Sequence, residues 1–121
     1  MTRSSAQPSS YAEYAAASED ELALKPSNLT FEQAAAVPMA GLVALQALRK
    51  GNVGAGHKVL INGASGGIGT FAVQIAKSLG AHVTAVCSTR NVELMRSLGA
   101  DEVIDYSQTD FTQGGRKYDF I

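Results

Sequence analysis

The stretch Lys58–Gly69, K-V-L-I-N-G-A-S-G-G-I-G, constrains what this chain can fold into more than any other part of it. Val59-Leu60-Ile61 is a short apolar run with two β-branched residues, which suits a buried parallel strand. A glycine-rich turn follows at once. From Gly69 to Leu79, Phe71, Ile75 and Leu79 recur at fourfold spacing with Ala72 and Ala76 beside them, the pattern of a helix packed on a sheet. Strand, glycine turn and helix in that order form the phosphate-binding start of a dinucleotide-binding unit.

Each glycine has a physical reason. The strand must reverse into a helix within a few residues, and Gly63 to Gly67 are expected to supply backbone angles closed to other residues. A pyrophosphate must approach the backbone, so a Cβ on Gly66 or Gly67 would obstruct it. Gly69 is expected to face the strand and let the helix pack closely. The first-turn N–H groups of the helix lack internal partners and point at the anion. Measured against G-x-G-x-x-G, the hexamer Ala64-Ser65-Gly66-Gly67-Ile68-Gly69 carries alanine in the first place, and all six are candidate cofactor-binding residues. The bland alternative is a glycine turn with no ligand. The flanking strand and helix, and a second unit behind them, argue against it.

In that second unit His82–Cys87 alternates and is β-rich, so it reads as strand two. Val92, Met95 and Leu98 share one helical face between Asn91 and Leu98, and Gly99 fits the helix end. Glu102–Asp105 reads as strand three, and Tyr118–Ile121 as the beginning of strand four. The alternation predicts an α/β fold with a parallel sheet and right-handed crossovers. Ahead of it, residues 29–50 read as a helical connector. Thr30 with Gln33 fits a capping box, Pro38 is expected to divide a short helix from a longer one at about Met39–Lys50, and Gly51 to stop the second.

NAD-binding units carry an acidic residue roughly 20 residues beyond the glycine motif, where it accepts the ribose hydroxyls. Here that place holds Ser88-Thr89-Arg90, with no carboxylate before Glu93. Hydroxyls and a guanidinium suit a 2′-phosphate, because arginine offers forked, charge-assisted hydrogen bonds. The local reading favours NADP(H), held by Ser88 and Arg90. Against it stands a solvated Arg90 and a Ser88 that merely caps a helix.

Several separate motifs stand in order: Tyr11-Ala-Glu-Tyr14, Leu29 to Ala40, the glycine segment, Gln74 to Gly80, Leu98-Gly-Ala-Asp101 and Val103-Ile-Asp-Tyr106. Together they resemble the medium-chain dehydrogenase/reductase superfamily, and within it the zinc-free quinone oxidoreductases related to ζ-crystallin. The resemblance implies a partial Rossmann domain and an NADPH-dependent transfer of hydride to a quinone or an activated C=C bond. It sets Tyr106 beside the adenosine 2′-phosphate. It also implies boundaries: a remnant of the GroES-like catalytic domain at 11–28, and the connector with the first part of the NADP-binding domain at 29–121; the polar, low-complexity segment 1–10 ahead of them is expected to be disordered. The family's connector threonine corresponds to Val43, which cannot hydrogen-bond, and its catalytic asparagine has no counterpart, so the catalytic residues stay unassigned. The family needs roughly 300 residues for its two domains. The 121 residues here are therefore expected to be an internal piece with little turnover of its own, and an open sheet edge gives it a route to a homodimer. Two other readings stay open. The segment Gly63–Gly69 also fits the loop of a short-chain dehydrogenase, and a piece of this kind could bind nucleotide without turnover.

Composition excludes other classes. A net charge of −1 gives no electrostatic case for nucleic acid or an anionic membrane. The most apolar stretch, Ala34–Leu48, is interrupted by Pro38 and Gln46 and reads as too short to span a bilayer. One cysteine and two histidines supply no disulfide framework and no zinc set, so no metal is expected. A reducing cytosol is the default compartment, and Met1–Ser10, polar with one arginine, is weak ground for organellar targeting.

Overall fold

The computed structural model describes residues 13–121, so the segment 1–10 and Tyr11 of the first motif lie outside the described residues. The described residues divide into two units, 13–34 and 35–121. In the first, the ammonium of Lys25 donates to the carbonyls of Pro26 and Leu29 and sits 5.2 Å from the centre of the Phe31 ring. Here too begins helix α1, Phe31–Lys50. Its start is the expected capping box: Gln33 N–H donates to Thr30 Oγ1 at 3.2 Å, and Thr30 N–H donates to Gln33 Oε1 at 3.0 Å.

Pro38 does not divide α1, contrary to the sequence expectation; one helix of 20 residues runs through it. The exposed proline removes one N–H and its bond to the carbonyl of Ala34. The loss is confined to that bond, and the helix continues on either side of the proline. The division into two units falls at Ala34–Ala35, the turn deprived of that bond. Being continuous, α1 is long and apolar enough to cross a membrane by length and composition, although Gly41, Ala44 and Leu48 are buried in the fold.

In the second unit β1 (Lys58–Asn62), β2 (His82–Cys87) and β3 (Glu102–Asp105) pair in parallel in that order. The other side of β1 is taken by Phe120, in a parallel bridge to Val59. Leu60 N–H donates to Phe120 O at 2.9 Å and Asp119 N–H to Lys58 O at 2.8 Å. The chain thus comes alongside β1 within the expected Tyr118–Ile121, as a single bridge at Phe120, and the order β3-β2-β1 with Phe120 beyond matches a Rossmann sheet with its change of direction beside β1. Helices α2 (Gly67–Ser78) and α3 (Val92–Ser97) cover one face. There Val59, Ile61, Val83, Ala85 and Cys87 pack with Val73, Ala76 and Met95. Leu60, Thr84 and Val86 point the other way and are buried too, so β2, expected to alternate, is instead buried on both faces after His82.

All three helices end alike. The N–H one residue past the cap bonds back to the third carbonyl before it, and the next N–H reaches the fifth. The pairs are Asn52–Arg49 with Val53–Leu48, Gly80–Lys77 with Ala81–Ala76, and Gly99–Arg96 with Ala100–Met95. Gly80 and Gly99 supply the left-handed residue as glycine does elsewhere. For α1 the left-handed residue is Asn52 at φ 52°, not Gly51. Gly51 is needed for another reason: a Cβ there would lie 2.1 Å from the Phe120 ring.

Candidate functional site

The carboxyl ends of β1, β2 and β3 lie along one edge of the sheet, and every candidate site residue falls there. Leaving β1, the chain turns at Gly63 with φ +67°, the one position in the loop that requires a left-handed residue. The expectation that Gly66 and Gly67 also supply such angles is not met, since Gly66 has an extended φ of −76°. Ala64 is fully buried, and its N–H donates to Val86 O at 3.0 Å, tying the loop to the end of β2. It offers a ligand backbone at most. Ser65 is half-buried, and Ile68 is exposed at the start of α2.

The three later glycines differ in what surrounds them. A Cβ on Gly69 would lie 2.5 Å from Gly63 O and 2.6 Å from Ala64 O, so α2 can sit on the loop only as glycine. A Cβ on Gly67 would meet nothing within 4 Å, and one on Gly66 only Gly63 O at 3.3 Å. Neither packing nor backbone angle in the chain itself asks for glycine at 67. The open space in front of it is where an anion would come. Among the described residues the N–H groups of Gly67, Ile68 and Gly69 have no acceptor, and the first bond of the helix is made by Thr70. Three free donors at a helix N-terminus, with no carboxylate in the first turn, fit a pyrophosphate.

The ends of β2 and β3 bring the other candidates together. Cys87 pairs with Asp105, so Ser88 and Tyr106 follow side by side, and Tyr106 N–H donates to Cys87 O at 3.1 Å. Tyr106 is 59% exposed, leaving its ring free to lie against a ligand. Ser88 makes no side-chain cap; its Oγ accepts from Asn91 Nδ2 at 3.2 Å. Arg90 is exposed in the short 3-10 turn Thr89–Asn91 and makes no hydrogen bond or ion pair among the described residues.

Sequence reasoning missed one group here. Asp105 Oδ2 accepts from the Thr89 hydroxyl at 2.5 Å, and Oδ1 accepts from Ser107 N–H at 2.9 Å. The Thr89 hydroxyl, against slight desolvation and with help from Ser107, holds the Asp105 carboxyl below the usual range. Burial, and then the Asp105 charge, push the Cys87 thiol up, so it remains a thiol at neutral pH. The sequence signal for it lies in the Val103-Ile-Asp-Tyr106 motif, because a parallel neighbour of β2 brings its own strand-end carboxylate to the same edge.

The opposite edge is largely paired within the chain, beside a cavity of about 470 Å³ lined by Lys58, His82, Thr84, Glu102 and Arg116. Asp101 lies among Lys77 Nζ, 2.7 and 2.8 Å from its two oxygens, the Val83 N–H at 2.7 Å, and His82 Nδ1 at 3.7 Å. Desolvation raises its carboxyl, but the hydrogen bonds from Lys77 and Val83 and the nearby Lys77 and His82 charges outweigh this and hold it below the usual range. His57 accepts the Gly54 N–H, so both histidines have structural partners. Among the described residues no three His, Cys, Asp or Glu side chains converge as metal ligands.

Open glycines, free helix donors and a cluster of polar loops at the switch point define an α/β unit of Rossmann type. Residues 67–118 match the zinc-binding dehydrogenase family. The chain is 43% identical over 120 residues to a chloroplast envelope quinone oxidoreductase homolog of Arabidopsis thaliana, covering 91% of this chain and 36% of that one. It is 51% identical over 102 residues to a mitochondrial NAD(P)H oxidoreductase of Mus musculus, covering 78% of this chain and 25% of that one. The quinone oxidoreductase of Thermus thermophilus, solved alone and with NADPH, superposes with a TM-score of 0.65 at 39% identity, covering 69% of this chain and 28% of that one. Enoyl reductases are among the relatives too. The chain belongs to the medium-chain dehydrogenase/reductase superfamily, on its quinone oxidoreductase branch, and not to the short-chain family whose glycine loop it also fits. It spans about a third or less of the length of these relatives, at 36% and 25%. The zinc in the family's description finds no matching ligand set among the described residues.

Proposed function

We propose that this chain carries the cofactor-binding half-sheet of an NADPH-dependent reductase acting on a quinone or an activated C=C bond. The observation that supports this most is the contrast at the glycine loop: Gly69 is required by the fold, whereas Gly67 faces open space beside unfilled donors. In this reading the Gly67, Ile68 and Gly69 N–H groups hold the pyrophosphate, and Ser65 and Gly66 border it. Ser88 donates its hydroxyl hydrogen, Arg90 its guanidinium, and Tyr106 its ring face to a 2′-phosphorylated adenosine. Their charge pattern, one free arginine and two hydroxyls, suits a phosphate better than a bare ribose.

Bound NADPH supplies the hydride. The chain's own part is to fix the nucleotide along the sheet edge, because hydride transfer asks a protein mainly for orientation and for polarisation of the acceptor. On α1, Val43 is 40% exposed and can only shape the space near it, so polarisation of the acceptor falls to other groups. The substrate class is carried over from relatives named as quinone and enoyl reductases. A reducing compartment, cytosol or organelle, suits the single buried thiol.

The test is a fluorescence titration of the 121-residue chain with NADPH and NADH, repeated on Arg90→Ala. The expected result is saturable binding, with NADPH preferred by about tenfold, or about 1.4 kcal/mol, and that preference lost in the variant. Equal affinity for both nucleotides in the parent chain would remove the phosphate site, and binding of neither would remove the proposal. NADPH oxidation with a simple quinone is expected to be slow for this chain alone.

A further inference from the structure

Past the sheet, the β2 and β3 backbones part, one into the turn carrying Ser88 and Arg90, the other into the turn carrying Tyr106. Two links hold these turns together. One is the backbone bond from Tyr106 to Cys87, and the other is the side-chain bond from Thr89 to Asp105. Asp105 is central to its own turn as well: Oδ1 accepts from Ser107, and its carbonyl accepts from Gln108 at 3.0 Å and Thr109 at 2.9 Å. The Thr89 hydroxyl hydrogen is thereby occupied, while Arg90 one residue on is free.

We infer that Asp105 is a positioning residue for the adenosine end of the cofactor: through Thr89 it holds the Ser88–Arg90 turn against the Tyr106 turn, and so sets how strongly a 2′-phosphate is preferred. This rests on the NADPH reading above. The residue has two effects of opposite sign. The clasp favours the phosphate by fixing the groups that would grip it, since a mobile Arg90 loses rotamer freedom on binding. The carboxylate charge opposes it, because a second anion nearby is repelled. The two are separable: asparagine at 105 keeps an acceptor for Thr89 and removes the charge, whereas valine at 89 keeps the charge and removes the clasp.

The experiment measures dissociation constants of 2′,5′-ADP and 5′-AMP, with thermal midpoints, for the parent chain, Thr89→Val, Thr89→Ser and Asp105→Asn. The expected result for Thr89→Val is binding of 2′,5′-ADP weakened about fivefold with 5′-AMP within twofold, about one hydrogen bond's worth. Thr89→Ser restores the parent ratio, and Asp105→Asn equals or exceeds it. A purely structural role would move both ligands together, and that result would overturn the inference. So would an Asp105→Asn ratio as poor as that of Thr89→Val. Should Thr89→Val not fold, Thr89→Ser and Asp105→Asn decide: a fall in either ratio refutes the clasp. A parent chain that binds both ligands equally would refute the phosphate site itself, and the inference with it; a parent preference that no variant disturbs would refute the inference alone.

Discussion

The two edges of the sheet solve opposite problems with the same kinds of residue. At the amino edge most strong polar groups are answered from within: Lys77, Asp101 and the Val83 N–H close on one another, Glu102 pairs with Arg116, and Lys58 N–H donates to Asp119, while the Tyr118 hydroxyl is buried there without a partner. At the carboxyl edge three helix donors, an arginine and a tyrosine are left facing outward. Polar groups that find partners inside the chain hold the fold; those free at the carboxyl edge are the ones proposed to hold the nucleotide. Asp105 is the exception at its edge. It is fully engaged, and this is why it reads as a support for its neighbours.

Substitutions chosen by edge test that contrast. Gly69→Val is expected to have the largest effect, because its Cβ strikes backbone carbonyls that cannot yield. A loss of about 3 kcal/mol or outright failure to fold is expected in urea unfolding. Next, Asp101→Ala should lower stability by about 2 kcal/mol, since it leaves the Val83 N–H and the Lys77 ammonium without their acceptor, and leave nucleotide affinity unchanged. Its pH signature follows from sign. A carboxyl held below its unfolded value adds stability that is present at neutral pH and disappears as pH falls through the folded value. The parent should therefore lose stability more steeply than Asp101→Ala below about pH 4. Smallest in its effect on the fold is Gly67→Ala, where the methyl meets open space. Stability should stay within about 0.5 kcal/mol while NADPH affinity falls about tenfold. Were Gly67→Ala to unfold the chain, or Asp101→Ala to weaken NADPH as much, the division between the edges would fail.

Much of this was legible in the sequence because the signals were local. The bounds of β2 and β3 follow from short runs rich in β-branched residues, the capping box from Thr30 and Gln33, and one helix end from Gly99. Three features were not legible, each for its own reason. Pro38 carries a strong local penalty, yet the helix runs through it. Asn52 takes the left-handed position because Gly51 lies under the Phe120 ring, a contact between distant residues. The Thr89–Asp105 clasp joins residues 16 apart and exists only once β2 and β3 are in register. Of the site, the glycine loop was readable and the mutual placement of Ser88, Arg90 and Tyr106 was only implied.

The bridge from Val59 to Phe120 has a consequence for how the chain is made. β1 finds its first neighbour, β2, soon after leaving the ribosome, but its second neighbour is synthesised 61 residues after Lys58. Through that interval the strand that will lie inside the sheet is an edge, apolar on both faces and open to pairing with another nascent chain. The residues around Phe120 therefore close that side of β1 late, and until they emerge the strand stays open to mispairing.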